Sequence, residues 1–525
     1  MESEPVPIYS TDGRMGTRRI LTFLLLCLML SAVAGCGSGS GSGGSFGEAA
    51  KAFPSGSLAY VDVNIDRNSA GWEKLQNLGS RFQTWDSIVA ELQHGLYSGK
   101  DGETFKRIEG ALGGEAAAAV TNLGDGTGSP TAVVYVESTD DSKLLDEVKR
   151  NNATTALDAY KGYDVFKSTE STDSFGAIGD GALLVSNTLA GLKSAIDTRQ
   201  GDAESLSGDA AFQDAEKDFS EDALANAWVD TRKLAGIASL GALGTMSSDP
   251  QAAAGLSQLT EGLKGIDSLT ASVEARDNGF AFAATLHGPR AGDIGFEPSL
   301  LDRVPGSAFA FLAANDIGPA IEKAIAAQTQ SDPAVKQFEN QTGISIKDDL
   351  VPLLTGEHLL YVGPGLPIGG ALILQTPDPQ QGAATMRKLT AFAVKQSAGQ
   401  VHVSDLPGGN GQQLLIGPGL SLTWHVEGDA IVISTDERAG TPADEPIVDS
   451  QKFRALLDES GAPDDAKALF YLDTQGLLGL IPTAQSMGPD ARALGSMLAW
   501  QERDSDVYRT GFFLEIRAGS GNTTG

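Results

Sequence analysis

The sequence predicts an α+β fold: two tandem homologous domains, each mainly antiparallel sheet with helices packed on one face. Three observations predict it. Strand-length stretches alternate apolar and polar residues, apolar stripes at helical spacing lie between them, and six segments recur in the same order about 240 residues further on.

The duplication sets the frame. "PSGSLAYVDVN" from Pro54 matches "PGSAFAFLAAN" from Pro305, with Asn64 and Asn315 at the same offset. "GALGGEAAAAV" matches "LLTGEHLLYV" through a shared Gly-Glu, at Glu115 and Glu357. "TAVVYVES" answers "GALILQTP", "AIGDGALLVSN" answers "HVEGDAIVIST", and "ANAWVDT" answers "LFYLDT". "SVEARDNGFAFAATL" answers "WQERDSDVYRTGFFLEI". Two copies of this size read as a duplicated domain, not a solenoid. The expected boundaries are one repeat over 51–288, a Gly/Pro-containing linker over 289–302, a second repeat over 303–517 and a disordered tail over 518–525.

Within a repeat, Leu269, Ala271, Val273 and Ala275 alternate with polar residues, as in a half-buried strand. Asn278-Gly279 supplies a tight-hairpin signal, and Phe280, Phe282, Ala284 and Leu286 alternate on the return strand. Short turns between consecutive strands favour antiparallel pairing. Helices are expected where Trp72, Leu75, Leu78 and Phe82, then Leu144, Leu145 and Val148, then Ile317, Ile321 and Ile325 form apolar stripes. Gly179-Asp180 and Gly428-Asp429 read as hairpin turns.

The N-terminus has a different character. Arg14, Arg18 and Arg19 precede the apolar run Ile20–Ala34, which is shorter than the ~20 residues a membrane span needs. Basic flank, apolar core and small residues are the order of a secretory signal. The run ends in "VAGC", Val33–Cys36, which resembles the lipobox of bacterial lipoproteins. The resemblance implies a signal peptide over 1–35, cleavage before Cys36, diacylglycerol on the Cys36 thiol and acylation of the new amino terminus. The Gly/Ser-rich stretch 36–50 then serves as a tether with an r.m.s. reach of roughly 20 Å. Each buried methylene contributes about 0.8 kcal/mol, so two or three chains on one cysteine hold durably where one does not.

Composition excludes several functions. The chain has 525 residues, 68 Asp and Glu against 38 Lys and Arg, and a formal net charge of −30. Anionic lipid and nucleic acid would both be repelled. The two cysteines are Cys27, within the signal segment, and Cys36. A processed body therefore has no disulfide, thiolate metal site or cysteine nucleophile.

"PSGSLAYVDVNIDRNSAGWEKLQNLGSRF", with a strand ending in Asn-x-Asp and a following Trp-x-x-Leu-x-x-Leu pattern, resembles the opening of an uncharacterised family of bacterial exported proteins, domain of unknown function 3352. The resemblance implies export or membrane attachment and brings no catalytic residues with it.

No residue pattern marks catalysis. "GGSFG" (43–47) matches a nucleophile elbow but lies in the tether rather than between a strand and a helix. The five histidines form no H-x-H or H-x-x-x-H pair, though His402 and His425 both fall on strand-like segments of the second repeat. Asp62, Asn64, Asp66 and Glu73 occupy positions 1, 3, 5 and 12 of an EF-hand-like loop. Arg67 stands where that loop needs glycine and a strand precedes it, so the sequence favours a strand with a polar face over a calcium site. No cofactor is expected. "VGPGLPIGG" and "IGPGLSL" mark Pro/Gly loops that form a rim in the second repeat alone.

The function these features suggest is a non-catalytic binding or scaffold module of the cell envelope. It is expected on the extracytoplasmic face of the cell membrane, held by lipid on Cys36, with an envelope protein or a small apolar ligand as partner. The alternatives are a solute-binding lipoprotein of a transporter and a carboxylate-dependent envelope hydrolase.

Overall fold

A computed structural model of the chain describes residues 47–97, 99–122, 130–150, 153–169, 174–236, 264–319, 321–322, 333–365, 369–417, 419–435, 441–480 and 488–518. Cys36, the signal segment, most of the tether and Ile325 lie outside them. The chain forms two compact units, which divide at Ala275/Arg276, with 81–83 grouped in the second. The division falls ahead of the boundary at 288 drawn from the sequence.

Unit 1 contains β1 (Ala59–Asn64), β2 (Leu112–Asn122), β3 (Thr131–Ser138), β4 (Thr154–Ala156), β5 (Asp164–Ser168), β6 (Phe175–Gly179), β7 (Ala182–Ser186), β8 (Ala223–Asp230) and β9 (Ser268–Arg276). Their order across the sheet is β9-β8-β1-β2-β3-β7-β6-β5-β4, antiparallel throughout. Its helices are α1 (Ala70–Gly79), α2 (Trp85–Tyr97), α3 (Gly99–Ile108), α4 (Asp141–Arg150), α5 (Leu189–Arg199) and α6 (Ala210–Glu216). Unit 2 contains β10 (Gly279–His287), β11 (Ala310–Asn315), β12 (Glu357–Gly363), β13 (Gly369–Gln375), β14 (Val401–Asp405), β15 (Gly411–Ile416), β16 (Leu420–Glu427), β17 (Ala430–Ser434), β18 (Lys467–Asp473), β19 (Leu494–Arg503) and β20 (Val507–Ile516). Its order is β10-β20-β19-β18-β11-β12-β13-β17-β16-β15-β14, again antiparallel. Its helices include α7 (Pro333–Thr342), α8 (Pro379–Gln396) and α9 (Gln451–Glu459).

From β9 to β4 the first order is the second from β19 to β14, strand for strand. Local chemistry explains the shared turns. Asp180 and Gly181 both have positive φ, 52° and 69°, as a type I′ hairpin between β6 and β7 requires. At the counterpart between β16 and β17 only Gly428 is positive, at 61°, as in a type II′ turn. Asp209 and Ser450 accept backbone N–H bonds at the starts of α6 and α9.

The main core of each unit lies on one sheet face. In unit 1, Tyr60, Phe212 and Trp228 meet edge to face at 5.3–5.4 Å between centroids. In unit 2, Phe311, Phe453 and Tyr471 occupy the same places at 5.6–6.1 Å. The α+β class is as the sequence indicates, but helices occupy two faces rather than one. The core holding Ile373 takes in Phe453 of α9, whereas Leu374, the next residue of β13, faces Met386 of α8. Two local expectations also change. The turn after β9 uses Asp277 and Asn278, with Gly279 already in β10, where a Cβ would meet Leu514 O at 2.2 Å. Phe82 falls beyond the end of α1, which buries Trp72 and Leu78.

Candidate functional site

The residues with chemical potential gather where β1 meets β2 in unit 1 and where β11 meets β12 in unit 2. Asn64 of β1 opposes Glu115 of β2, and Asn315 of β11 opposes Glu357 of β12. Both glutamates are buried, at 6% and 5% exposure. A buried carboxylate needs donors, and each takes them from the segment ahead of its partner strand: 47–49 before β1 and 299–300 before β11. Glu115 accepts from Gly47 N and Ala49 N at 3.2 Å. Glu357 accepts from Ser299 N at 2.8 Å, Ser299 Oγ at 2.6 Å and Leu300 N at 2.9 Å. Close approach requires the glycine before Glu357 and favours the one before Glu115. A Cβ at Gly356, φ 122°, would lie 2.9 Å from Gln375 O, and one at Gly114 would lie 3.1 Å from Asp66 Cβ. The repeated Gly-Glu is therefore a clasp on the lead-in segment.

Beside the first clasp lies a group of buried polar residues. Asp62 is 1% exposed; its Oδ2 accepts from Tyr60 Oη at 3.1 Å and its Oδ1 from Asn226 N at 3.2 Å. Among the described residues no cation pairs with it. Burial, reinforced by the Glu115 charge, pushes Asp62 up to about 7, against the bonds from Tyr60 and Asn226. Burial likewise raises Glu115, Glu216 and Tyr60; the bonds from Ala49 and Gly47 oppose the rise at Glu115. Asn226 Oδ1 and Trp228 Nε1 are buried and meet no hydrogen-bond partner among the described residues. Near neutral pH, protonation of Asp62 relieves an otherwise uncompensated interior charge.

The four calcium candidates do not converge. Asp62 points into the sheet, which corrects the expectation of an outward polar strand face. Asn64 Oδ1 accepts from Asp66 N, and Asp66 Oδ1 accepts from Asn68 N, both at 2.9 Å, as in Asx turns. Glu73 is exposed on α1. Among the described residues no group of three His, Cys, Asp or Glu is placed to hold a metal. His402 opposes Leu415 on β15 while His425 opposes Gly411, so the register separates them along that strand. His425 instead lies 3.4 Å from Glu427. Cys36 lies outside the described residues, as do Gly43–Phe46 and parts of both Pro/Gly loops. No helix among the described residues is long and apolar enough to cross a membrane.

Sequence reasoning picked out Asp62, Glu115 and Glu357. It missed Tyr60, Asn226 and Glu216, which no motif marks. The one signal for Tyr60 was its period-two spacing from Asp62, which puts both on the same face.

Fold and clasps together define a two-unit antiparallel α+β protein whose repeated glutamates fasten the segments that precede β1 and β11. The family model described as "Protein of unknown function (DUF3352)" matches residues 20–514, and the chain belongs to that family. No curated protein matches the sequence. Among solved structures, crystal form I of TP0453 aligns at 10% identity and a TM-score of 0.27, covering 49% of this chain and 83% of that one. Crystal form III aligns at 9% identity and a TM-score of 0.25, covering 45% and 78%. Likeness of that degree carries no argument about role.

Proposed function

We propose that the chain is a lipid-anchored protein of the cell envelope, held through Cys36 on the extracytoplasmic face of the membrane, with a body that is a non-catalytic binding or scaffold module. The observation that carries the reading is the junction of tether and body. The Gly/Ser tract that starts at Cys36 leads directly to Gly47 and Ala49, whose N–H groups bond the buried Glu115. Ala49, Ala50, Ala52 and Phe53 follow, all fully buried. Anchoring at Cys36 would thus hold the protein by its core. The non-catalytic half is supported by the employment of the repeated carboxylates: Glu115 and Glu357 spend their lone pairs on backbone N–H groups and Ser299.

Growth with a clickable fatty acid tests the anchor. Label is expected on the wild type and lost in Cys36→Ala; equal labelling of both sinks the anchor. A defined substrate turned over by the purified protein would overturn the non-catalytic reading.

A further inference from the structure

On the face of the unit 2 sheet opposite its main core, two adjacent rows are apolar from strand to strand, while the next row carries Thr510, Gln501 and His358. The register sets Phe282, Phe512, Ala499, Phe470, Leu312 and Leu360 in one row across β10, β20, β19, β18, β11 and β12. The adjacent row, two residues along each strand, runs from Phe280 to Val362 and is also free of charged and polar side chains. This face is open: Phe282 is 43% exposed, Leu312 48% and Leu360 44%. Beyond β12 the same row continues through Leu372 and Ile433, which pack with Trp424 and Met386 of the α8 layer. Among the described residues, Phe282, Leu312 and Leu360 in the β10–β12 part of the row have no such cover.

Unit 1 shows that the fold does not demand this. Its matching row reads Ala271, Ala227, Val61 and Ala118. Large side chains replace small ones and still meet solvent, the mark of an interaction surface.

The occupant is constrained by charge and by the tether. In a chain with 68 acidic and 38 basic residues, both rows are uncharged. A second copy would bring its own −30 to the contact, whereas an acyl chain brings no charge. On the lipid-anchored reading, on which this inference rests, the stretch from Cys36 to Gly47 spans at most about 40 Å even fully extended. Membrane lipid is then the apolar partner always at high local concentration. We propose that this face of unit 2 binds the acyl chains of membrane phospholipid.

The test places the full-length protein, wild type and Cys36→Ala, in phosphatidylcholine vesicles doped with a phosphatidylcholine bearing a diazirine in its acyl chain. Crosslinked peptides are read by mass spectrometry. Crosslinks are expected within 279–287, 310–315 and 357–363 of both proteins. Leu312→Asp with Leu360→Asp should cut them about tenfold while the melting temperature falls by no more than about 5–10 °C and the protein stays folded, because both side chains already meet solvent. Crosslinks absent from those strands in both proteins would overturn the proposal. So would self-association that Leu312→Asp abolishes, with no crosslink there: the face would then join two copies. Fatty-acid label on Cys36 without strand crosslinks sinks this inference alone. Strand crosslinks without label on Cys36 sink the anchor and leave the face standing.

Discussion

The two units share a strand order and reverse the placement of polar and bulky residues. In unit 1 the inner face of the first strand carries Tyr60 and Asp62, while the outer row is alanine and valine. In unit 2 the matching inner residues are Phe311 and Ala313, and the outer row is Phe470, Leu312 and Leu360. Register, turn positions and lead-in clasps survive the exchange. Backbone topology is therefore set by alternation and turn chemistry, and the identity of each face is free to diverge. That freedom gives unit 1 an interior proton site and unit 2 an exposed apolar surface.

The largest effects should come from what the units have in common. Phe212→Ala and Phe453→Ala each open a cavity in the aromatic cluster and should cost about 3–5 kcal/mol in urea unfolding. Comparable losses would confirm that the clusters are equivalent keystones. A loss below about 1 kcal/mol in either unit would break the comparison.

The pH response should separate them. Asp62 rises from 3.8 to about 7 on folding, so native unit 1 binds a proton that the unfolded chain releases. The stability this contributes is fully present below about pH 4 and is lost as pH climbs to about 7, by on the order of 4 kcal/mol. Raised Glu115 acts in the same direction; buried Glu147, held low by Arg107, and half-buried Asp197, pulled up by burial but held low by Lys161 and Tyr160, act against it. In unit 2 the sign is opposite. Burial pulls Asp349, Asp473 and Glu515 up, but Lys388, Lys452 and the Ser496 N–H with Arg517 hold them below the ordinary range. Their contribution is present above that range and fades as pH falls through it. Hydrogen exchange followed by mass spectrometry should show β1 and β8 losing protection between pH 4 and 7 while β11 and β18 do not. Tyr60→Phe with Asp62→Ala, which copies unit 2, should flatten the unit 1 profile; an unchanged slope would refute the assignment.

The clasps differ in degree. Glu357 makes bonds of 2.6–2.9 Å to Ser299 and Leu300, while Glu115 bonds at 3.2 Å. Each buried donor left without a partner costs about 1–3 kcal/mol. Glu357→Ala should therefore destabilise more than Glu115→Ala; the reverse order in urea midpoints would show that the bond lengths mislead.

Much of this was legible in residue order. Alternation in 269–275 gave a strand, and the shared Gly-Glu aligned Glu115 with Glu357 without indicating what either does. The turn at Asn278-Gly279 was right in place and wrong in residue, since Gly279 is needed inside the sheet beside Leu514. The Asp62 site was not legible because Asn226, its backbone donor, is 164 residues away. A polar residue on a strand reads as outward until its cross-strand neighbours are known. The clasp partners were hidden likewise, at separations of 66 and 58 residues. The open face of unit 2 was hidden for another reason. "FAFLAAN" is apolar on both faces, which normally signals a strand covered on both sides.

The smallest stability change tests the comparison most finely. Leu312→Val, Leu360→Ala and Phe470→Ala together rewrite the unit 2 row with the residues of unit 1 at Val61, Ala118 and Ala227. Leu312 and Leu360 are nearly half exposed, so folding gains little from them, and Phe470 is only half-buried. Each replacement should cost about 1 kcal/mol or less, well under a buried leucine-to-alanine change. A total near 3 kcal/mol or below, read from the urea midpoint at constant slope, would show that these side chains were not retained for folding. A much larger loss would mean that the row is a core in its own right, and the contrast between the two outer faces would disappear.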